Sequence, residues 1–397
     1  MKVSIGAPIY DKREIQAVLR ALREKRLSQG KYVKAFERAW VRYIGCRFSI
    51  GVNSGSSANL VAIQAMKERY GWKVGDTVIA PALTFATAVM PVLQAGLRPL
   101  FADVDYRGNM TAKSVLAAFR KHRGPKVRGL VLVHSLGVPC LDAPKIQKFC
   151  REKGIRILED CCESHGAKVQ GKMVGSFGDV STTSFYVAHN MTTGEGGMIT
   201  TDDPKLDEIC RSLREFGRRI DPKSPRYVRL ASGPSYDIRY AFDRLGYNVR
   251  MTDIAASLGL VQLSKLEKMN AKRRQIAGWY KKGFLNLISQ RLISLPDEPA
   301  GTKNTYYTLL ITFLKMPPRL PSIEKIALRL EKAGIETRPF MAGNLLRQRA
   351  FSRWGKPQLY QMAEFLHRRS LSVGCHPLVT EAGVSYVCEN INRLYAI

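Results

Sequence analysis

An imidazole exchanges a proton near neutral pH, so a histidine between an apolar run and a glycine-rich turn can carry protons. His189 has that setting, in SFYVAHNMTTGEGG (residues 184–197). A lone histidine is more often a structural hydrogen-bonder, and that plain alternative applies equally to His122, His134, His165, His367 and His376. Glu159-Asp160 ends a second apolar run. A carboxylate there could pair with a protonated ring nitrogen, or merely cap the following turn. Asn53-Ser54-Gly55-Ser56-Ser57-Ala58 leads from a third apolar run into a helical pattern. Small residues at a helix start let backbone amides approach an anion, although an ordinary serine cap looks the same. None of the three signals is specific alone.

The elements that must position them alternate. Strands are expected at Phe48–Val52, Thr77–Ala80, Pro99–Ala102, Gly129–His134, Ile155–Glu159, Val180–Tyr186 and Met198–Thr201. Helical patterns fall between several of them, over Asn59–Tyr70, up to Ala95, and over Asp142–Gly154. Such alternation implies βαβ units and a largely parallel sheet covered on both faces. A long helix starting near Thr252 leads out of this unit. Beyond about Leu285 the pattern reads strand Tyr306–Phe313, helix Ile323–Ala333, strand Glu336–Phe340 and a terminal helix, a smaller α+β unit.

Of the 397 residues, 63 are Lys or Arg and 33 are Asp or Glu, giving a formal charge of +30. That field suits an anionic partner, or reflects a general basic bias. No run of basic residues interleaved with aromatics marks a nucleic-acid stripe, so no nucleic-acid partner is expected. A phosphorylated small molecule also suits the sign. The eight cysteines form no CxxC pair and no zinc-finger spacing, so no metal site is expected. MKVSIGAPIYDKREI lacks a signal peptide's apolar core, which predicts a cytoplasmic chain without structural disulfides. Thr77–Leu97 is uncharged, but Pro81, Pro91 and Gln94 interrupt it, and no membrane span is expected.

Taken in order, NSGSSANL, PALTF, HSLG, ILEDCCESHGA, GSFGD, the SFY–His189–GEGGM stretch and GYNVRMTDIAASLGLVQL resemble the DegT/StrS sugar aminotransferase family. The likeness runs from about residue 10 to 265, and RPFMAGNLLRQ continues it. It implies an α/β chain with the type I fold of pyridoxal phosphate-dependent transferases. A large domain, 1–265, would hold a mainly parallel seven-stranded sheet between helices, and 266–397 a smaller α+β domain. By the resemblance, Ser56, Ser57 and the Ser184 hydroxyl hold the cofactor phosphate, Phe85 stacks on the ring, and Asp160 pairs with the ring nitrogen. Glu163 falls where many relatives have glutamine near the ring hydroxyl. Asn248 would reach the phosphate of a neighbouring subunit's cofactor, implying a homodimer.

Aminotransferases of the family place a lysine three residues after SFY, where it binds the cofactor aldehyde covalently. Here that residue is His189. Imidazole moves protons but cannot make that bond, so the cofactor would be held non-covalently, most usefully as pyridoxamine phosphate. The replacement resembles the family's keto-deoxysugar 3-dehydratases, in which a histidine removes a proton and the C-3 hydroxyl of a nucleotide-linked 4-keto-6-deoxyhexose leaves. One branch of these carries an iron–sulfur cluster on four cysteines. Cys162 fits the first ligand, but Ile220 stands where the next should fall, and no cysteine occurs from Arg211 through Gly374. The expectation is therefore cluster-free chemistry with L-glutamate restoring the amine, within dideoxysugar and O-antigen synthesis. The segment Arg211–Arg250, with ten basic and four acidic residues, could meet the substrate diphosphate or be a solvated loop. An aminotransferase managing without the lysine is the second reading. A non-catalytic sensor or DNA-binding regulator is the third, although no helix-turn-helix module shows at either end.

Overall fold

The computed structural model describes residues 1–395 apart from 26, 221, 222 and 319, so two positions of the basic segment 211–250 lie outside the described residues. Its main sheet has seven strands: β1 Phe48–Val52, β2 Thr77–Pro81, β3 Arg98–Ala102, β4 Val127–Val133, β5 Arg156–Asp160, β6 Val180–Ser184 and β7 Gly197–Thr201. Their order is β1-β7-β6-β5-β4-β2-β3. The pairings from β6 to β3 are parallel, and only β7 runs against its neighbours β1 and β6. This is the mainly parallel sheet that the βαβ alternation predicts.

Helices cover both faces, among them α1 Lys12–Arg23, α2 Lys31–Ile44, α3 Gly55–Arg69, α4 Met90–Gln94, α5 Ala112–Lys121, α6 Ala143–Lys153 and α7 Pro204–Arg214. α3 lies under other elements for most of its girth, burying Ala58, Val61, Ala62, Ile63, Ala65 and Met66. It starts four residues earlier than expected because Ser54 caps it, its hydroxyl accepting from the Ser57 amide at 3.1 Å. The continuous helix expected up to Ala95 is instead a loop, a single turn at Ala86–Ala88 and the five-residue α4. Pro91 sits at the start of α4, where its missing N–H is harmless. No helix among the described residues is long and apolar enough to cross a membrane.

α8 spans Asp253–Gly283, about 46 Å at the usual helical rise. Its middle buries Leu266 and Met269 against Phe36 and Trp40 of α2. Its last turns bury Ile276 and Tyr280 in a second core with Phe313 and Val387. A boundary after residue 265 therefore falls inside one unbroken helix, and Val3 of the N-terminus also joins the second core. That core backs an antiparallel sheet of β8 Ile293–Ser294, β9 Thr308–Phe313, β10 Arg338–Pro339 and β11 Ser370–Gly374, ordered β8-β9-β11-β10. β10 is shorter than the Glu336–Phe340 run suggests; Pro339 has no N–H to continue the ladder.

Candidate active site

The carboxyl ends of parallel strands are where open α/β sheets present ligand-binding groups. β5 and β6 end there with Asp160 and Ser184, and β1 runs straight into the start of α3. Between them opens a cavity of about 340 Å³. Alternation along β5 separates its two carboxylates. Asp160 lines the cavity; its Oδ2 accepts from Asn59 Nδ2 at 2.8 Å and its Oδ1 from the Cys162 amide at 3.0 Å. Glu159 points away and accepts from the amides of Gly175, Phe177 and Gly178 and from His134 Nε2. Burial opposes its charge, but His134 and those amides outweigh burial and keep its carboxyl below the usual range. Asp160 is therefore the carboxylate open to a ligand, and Glu159 is structural.

One wall of the cavity is the beginning of α3. Ser54, Gly55 and Ser56 line it together with Ser184. A Cβ on Gly55 would stand 2.4 Å from that of Ser184 and 3.0 Å from Cys162 Sγ, so only glycine lets the helix start approach β6 this closely. The Ser57 hydroxyl bonds Ser54 at 3.0 Å and is not among the lining groups. Phe85, a residue 54% exposed, forms another wall, an apolar group free to be covered by a flat ligand.

His189 and Glu163 complete the site. Nδ1 of His189 lies 3.0 Å from the carbonyl oxygen of Ser184. A carbonyl only accepts, so Nδ1 holds the proton, and Nε2 makes no hydrogen bond to the described residues. Burial lowers the imidazole to about 4, with Arg273 adding to the effect, so the ring is neutral at physiological pH. A neutral imidazole with a free Nε2 lone pair is a base. Glu163 accepts from the Leu136 amide at 2.9 Å. Burial, with Asp160 beside it, pushes Glu163 up to about 8, so it carries a proton at neutral pH and can donate as a glutamine amide would.

The structure thus brings Ser56, Phe85, Asp160, Glu163, Ser184 and His189 around one cavity and leaves Ser57 and Asn248 outside its lining. Asn248 instead accepts from Arg250 Nη2 at 3.1 Å. Cys162 lines the cavity, with burial and Asp160 holding its thiol well above the usual range. The metal-like grouping His134, Glu159 and Cys161 is already satisfied: His134 Nδ1 accepts from the Cys140 amide at 3.0 Å while Nε2 bonds Glu159. Sequence reasoning passed over Asn59 and Tyr307. Asn59 lies one turn beyond Gly55 in NSGSSANL, a spacing that places both on one helix face. Tyr307 lines the cavity with its ring 4.9 Å from that of His189 and has no local signal.

The cavity fits a flat, phosphorylated pyridine: a carboxylate for a ring nitrogen, an aromatic wall, and a helix start built from small residues. Comparison with known proteins agrees. A GDP-4-keto-6-deoxy-D-mannose 3-dehydratase of Yersinia pseudotuberculosis is 30% identical over 95% of this chain and 96% of its own. A GDP-perosamine synthase of Caulobacter vibrioides is 31% identical over 85% of this chain and 84% of its own. The crystal structure of a histidine-to-asparagine mutant of GDP-4-keto-6-deoxymannose-3-dehydratase with bound GDP-perosamine superposes with a TM-score of 0.87, at 27% identity over 98% of this chain and all of that one. Residues 8–392 match a single family description, and the chain belongs to the DegT/DnrJ/EryC1/StrS aminotransferase family.

Proposed function

We propose that the chain is a pyridoxamine phosphate-dependent 3-dehydratase of a nucleotide-diphospho-4-keto-6-deoxyhexose, working in surface polysaccharide synthesis. The observation that carries this reading is the base itself. His189 stands where the family's aminotransferases keep lysine, and among the described residues neither lysine nor arginine lines the cavity. When bound, the cofactor supplies an amine for the sugar ketone and a ring that accepts electrons. Asp160, held by Asn59 and the Cys162 amide, would keep the ring nitrogen protonated. Ser56, Ser184 and the α3 amides would hold the phosphate, and Phe85 would cover one ring face. Nε2 of His189 takes the proton whose removal lets the C-3 hydroxyl depart. Cationic groups for the sugar's diphosphate come from outside the lining, and the basic segment 211–250 supplies candidates.

Mass spectrometry of the products from a panel of nucleotide 4-keto-6-deoxysugars, with cofactor and glutamate supplied, tests the proposal. A 3-deoxy sugar with release of ammonia is expected; a 4-amino sugar as sole product would establish transamination instead. That second reading draws support from the perosamine synthase, which matches at nearly the same identity as the dehydratase.

Two further outcomes follow from this reading. Cys162→Ser should remain active, and protein purified without oxygen should hold no stoichiometric iron. Iron and sulfide lost in that variant would mean a cluster enzyme. The active species should be a homodimer, and Asn248→Ala should weaken cofactor binding in every subunit while leaving the chain folded. Native cofactor affinity in that variant would remove Asn248 from the site.

A further inference from the structure

Arg273, on α8, is 1% exposed, yet no carboxylate pairs with it among the described residues. Buried guanidinium groups normally stand against an anion. This one is directed at backbone carbonyls. Nη1 donates to Tyr307 at 2.8 Å and to Tyr306 at 3.2 Å, and Nη2 donates to the carbonyl of His189 at 3.3 Å. Burial without a counterion draws the guanidinium down to about 10, which still leaves it charged at neutral pH. Its targets include the backbone of the base and of the tyrosine whose ring stands perpendicular to that base, at 83°, besides Tyr306 and a longer bond from Nη1 to the Cys375 carbonyl at 3.5 Å. Tyr306 adopts the left-handed region at φ 42°, a conformation that persists in a non-glycine residue only where its surroundings enforce it.

We propose that Arg273 is a positioning residue for the base: its planar fork fixes the His189 loop against Tyr307 and sets a permanent positive charge behind the imidazole. The proposal rests on His189 acting as the base. Among the described residues, the charged and titratable groups around that ring include Asp160 from β5, His165 with its ring 6.0 Å away, Tyr186 at 5.7 Å, Tyr307 and Arg273 itself, and Cys162, Glu163 and Glu195 line the same cavity. After burial, Arg273 is the group that most favours the neutral ring, and Asp160 opposes it. An arginine that only supported the fold would affect stability and leave kcat native in a folded Arg273→Lys.

Two variants separate these roles. Arg273→Lys keeps a charge but not the fork, and Arg273→Met keeps neither. In cofactor-free protein, NMR should show the His189 midpoint near its native value in Arg273→Lys and moved upward in Arg273→Met. The acid limb of kcat/KM for dehydration should move upward with it in Arg273→Met. Both variants should lose kcat, by about 10²-fold for a base displaced by an ångström. An unmoved midpoint in Arg273→Met, or native kcat in Arg273→Lys, would overturn the proposal. If Arg273→Met does not fold, Arg273→Lys decides: a native midpoint with reduced kcat supports positioning. If native protein makes no 3-deoxy sugar but the midpoint still moves in Arg273→Met, the electrostatic coupling stands and the reaction assignment alone falls.

Discussion

His189→Asn should lower 3-dehydration by about 10²- to 10⁴-fold, the usual loss when a general base is removed. Asparagine can still donate toward the Ser184 carbonyl as Nδ1 does now at 3.0 Å, so the loop keeps its anchor. What disappears is the Nε2 lone pair. The residues that would hold the cofactor are untouched, so it should still bind with near-native affinity, read from its absorbance. The native pH profile follows from the same group. Only neutral imidazole accepts a proton, and the neutral fraction rises as pH passes upward through about 4. Activity limited by this base should therefore climb between about pH 3 and 5 and then level off, wherever the fold survives. His189→Lys should add a covalent cofactor adduct, trapped by borohydride and seen as a mass increase, which native protein lacks. Normal dehydration by His189→Asn, or an adduct in native protein through another lysine, would show that the base has been misassigned.

Asp160→Asn should cost from about 10²-fold to several 10³-fold in kcat/KM without unfolding the chain. The substitution preserves shape and an oxygen for the Cys162 amide, but removes the negative charge that would face the ring nitrogen. It also turns an NH₂ toward Asn59 Nδ2, replacing a 2.8 Å hydrogen bond by two opposed donors. Asn59 cannot simply turn round, because its Oδ1 accepts from Thr182 Oγ1 at 2.6 Å. Breaking a buried charge pair from one side costs about 3–5 kcal/mol, which converts to that loss at about 1.4 kcal/mol per tenfold change. Steady-state kinetics and a cofactor titration would measure it, with thermal unfolding of cofactor-free protein as the control. Native turnover in Asp160→Asn would mean that Asp160 does not hold the ring nitrogen.

Much of the framework was legible in the chain. Phe48–Val52 forms a strand over the same residues as its apolar run, and the long helix begins beside Thr252, whose hydroxyl caps it. These features are local: strand pleat, helix period and cap chemistry act over a few residues and leave a mark in the order of side chains. The composition around Phe85 suits a helix, but a loop and short turns form there. Pairing of Ala82 with Ala102 and with Leu345 holds the chain extended there instead.

The site divides along the same line. The sequence by itself determined that a histidine stands three residues after SFY, that a carboxylate closes β5 and that a glycine opens α3. Only the tertiary structure decided that Asp160 rather than Glu159 faces the cavity, because the direction of a side chain depends on which face of the strand the site occupies. It also decided that Tyr307 and Arg273, distant in sequence, meet at His189, and that burial leaves that ring neutral. Contacts and desolvation between remote segments follow from how sheet and helices pack, and no local spacing encodes them.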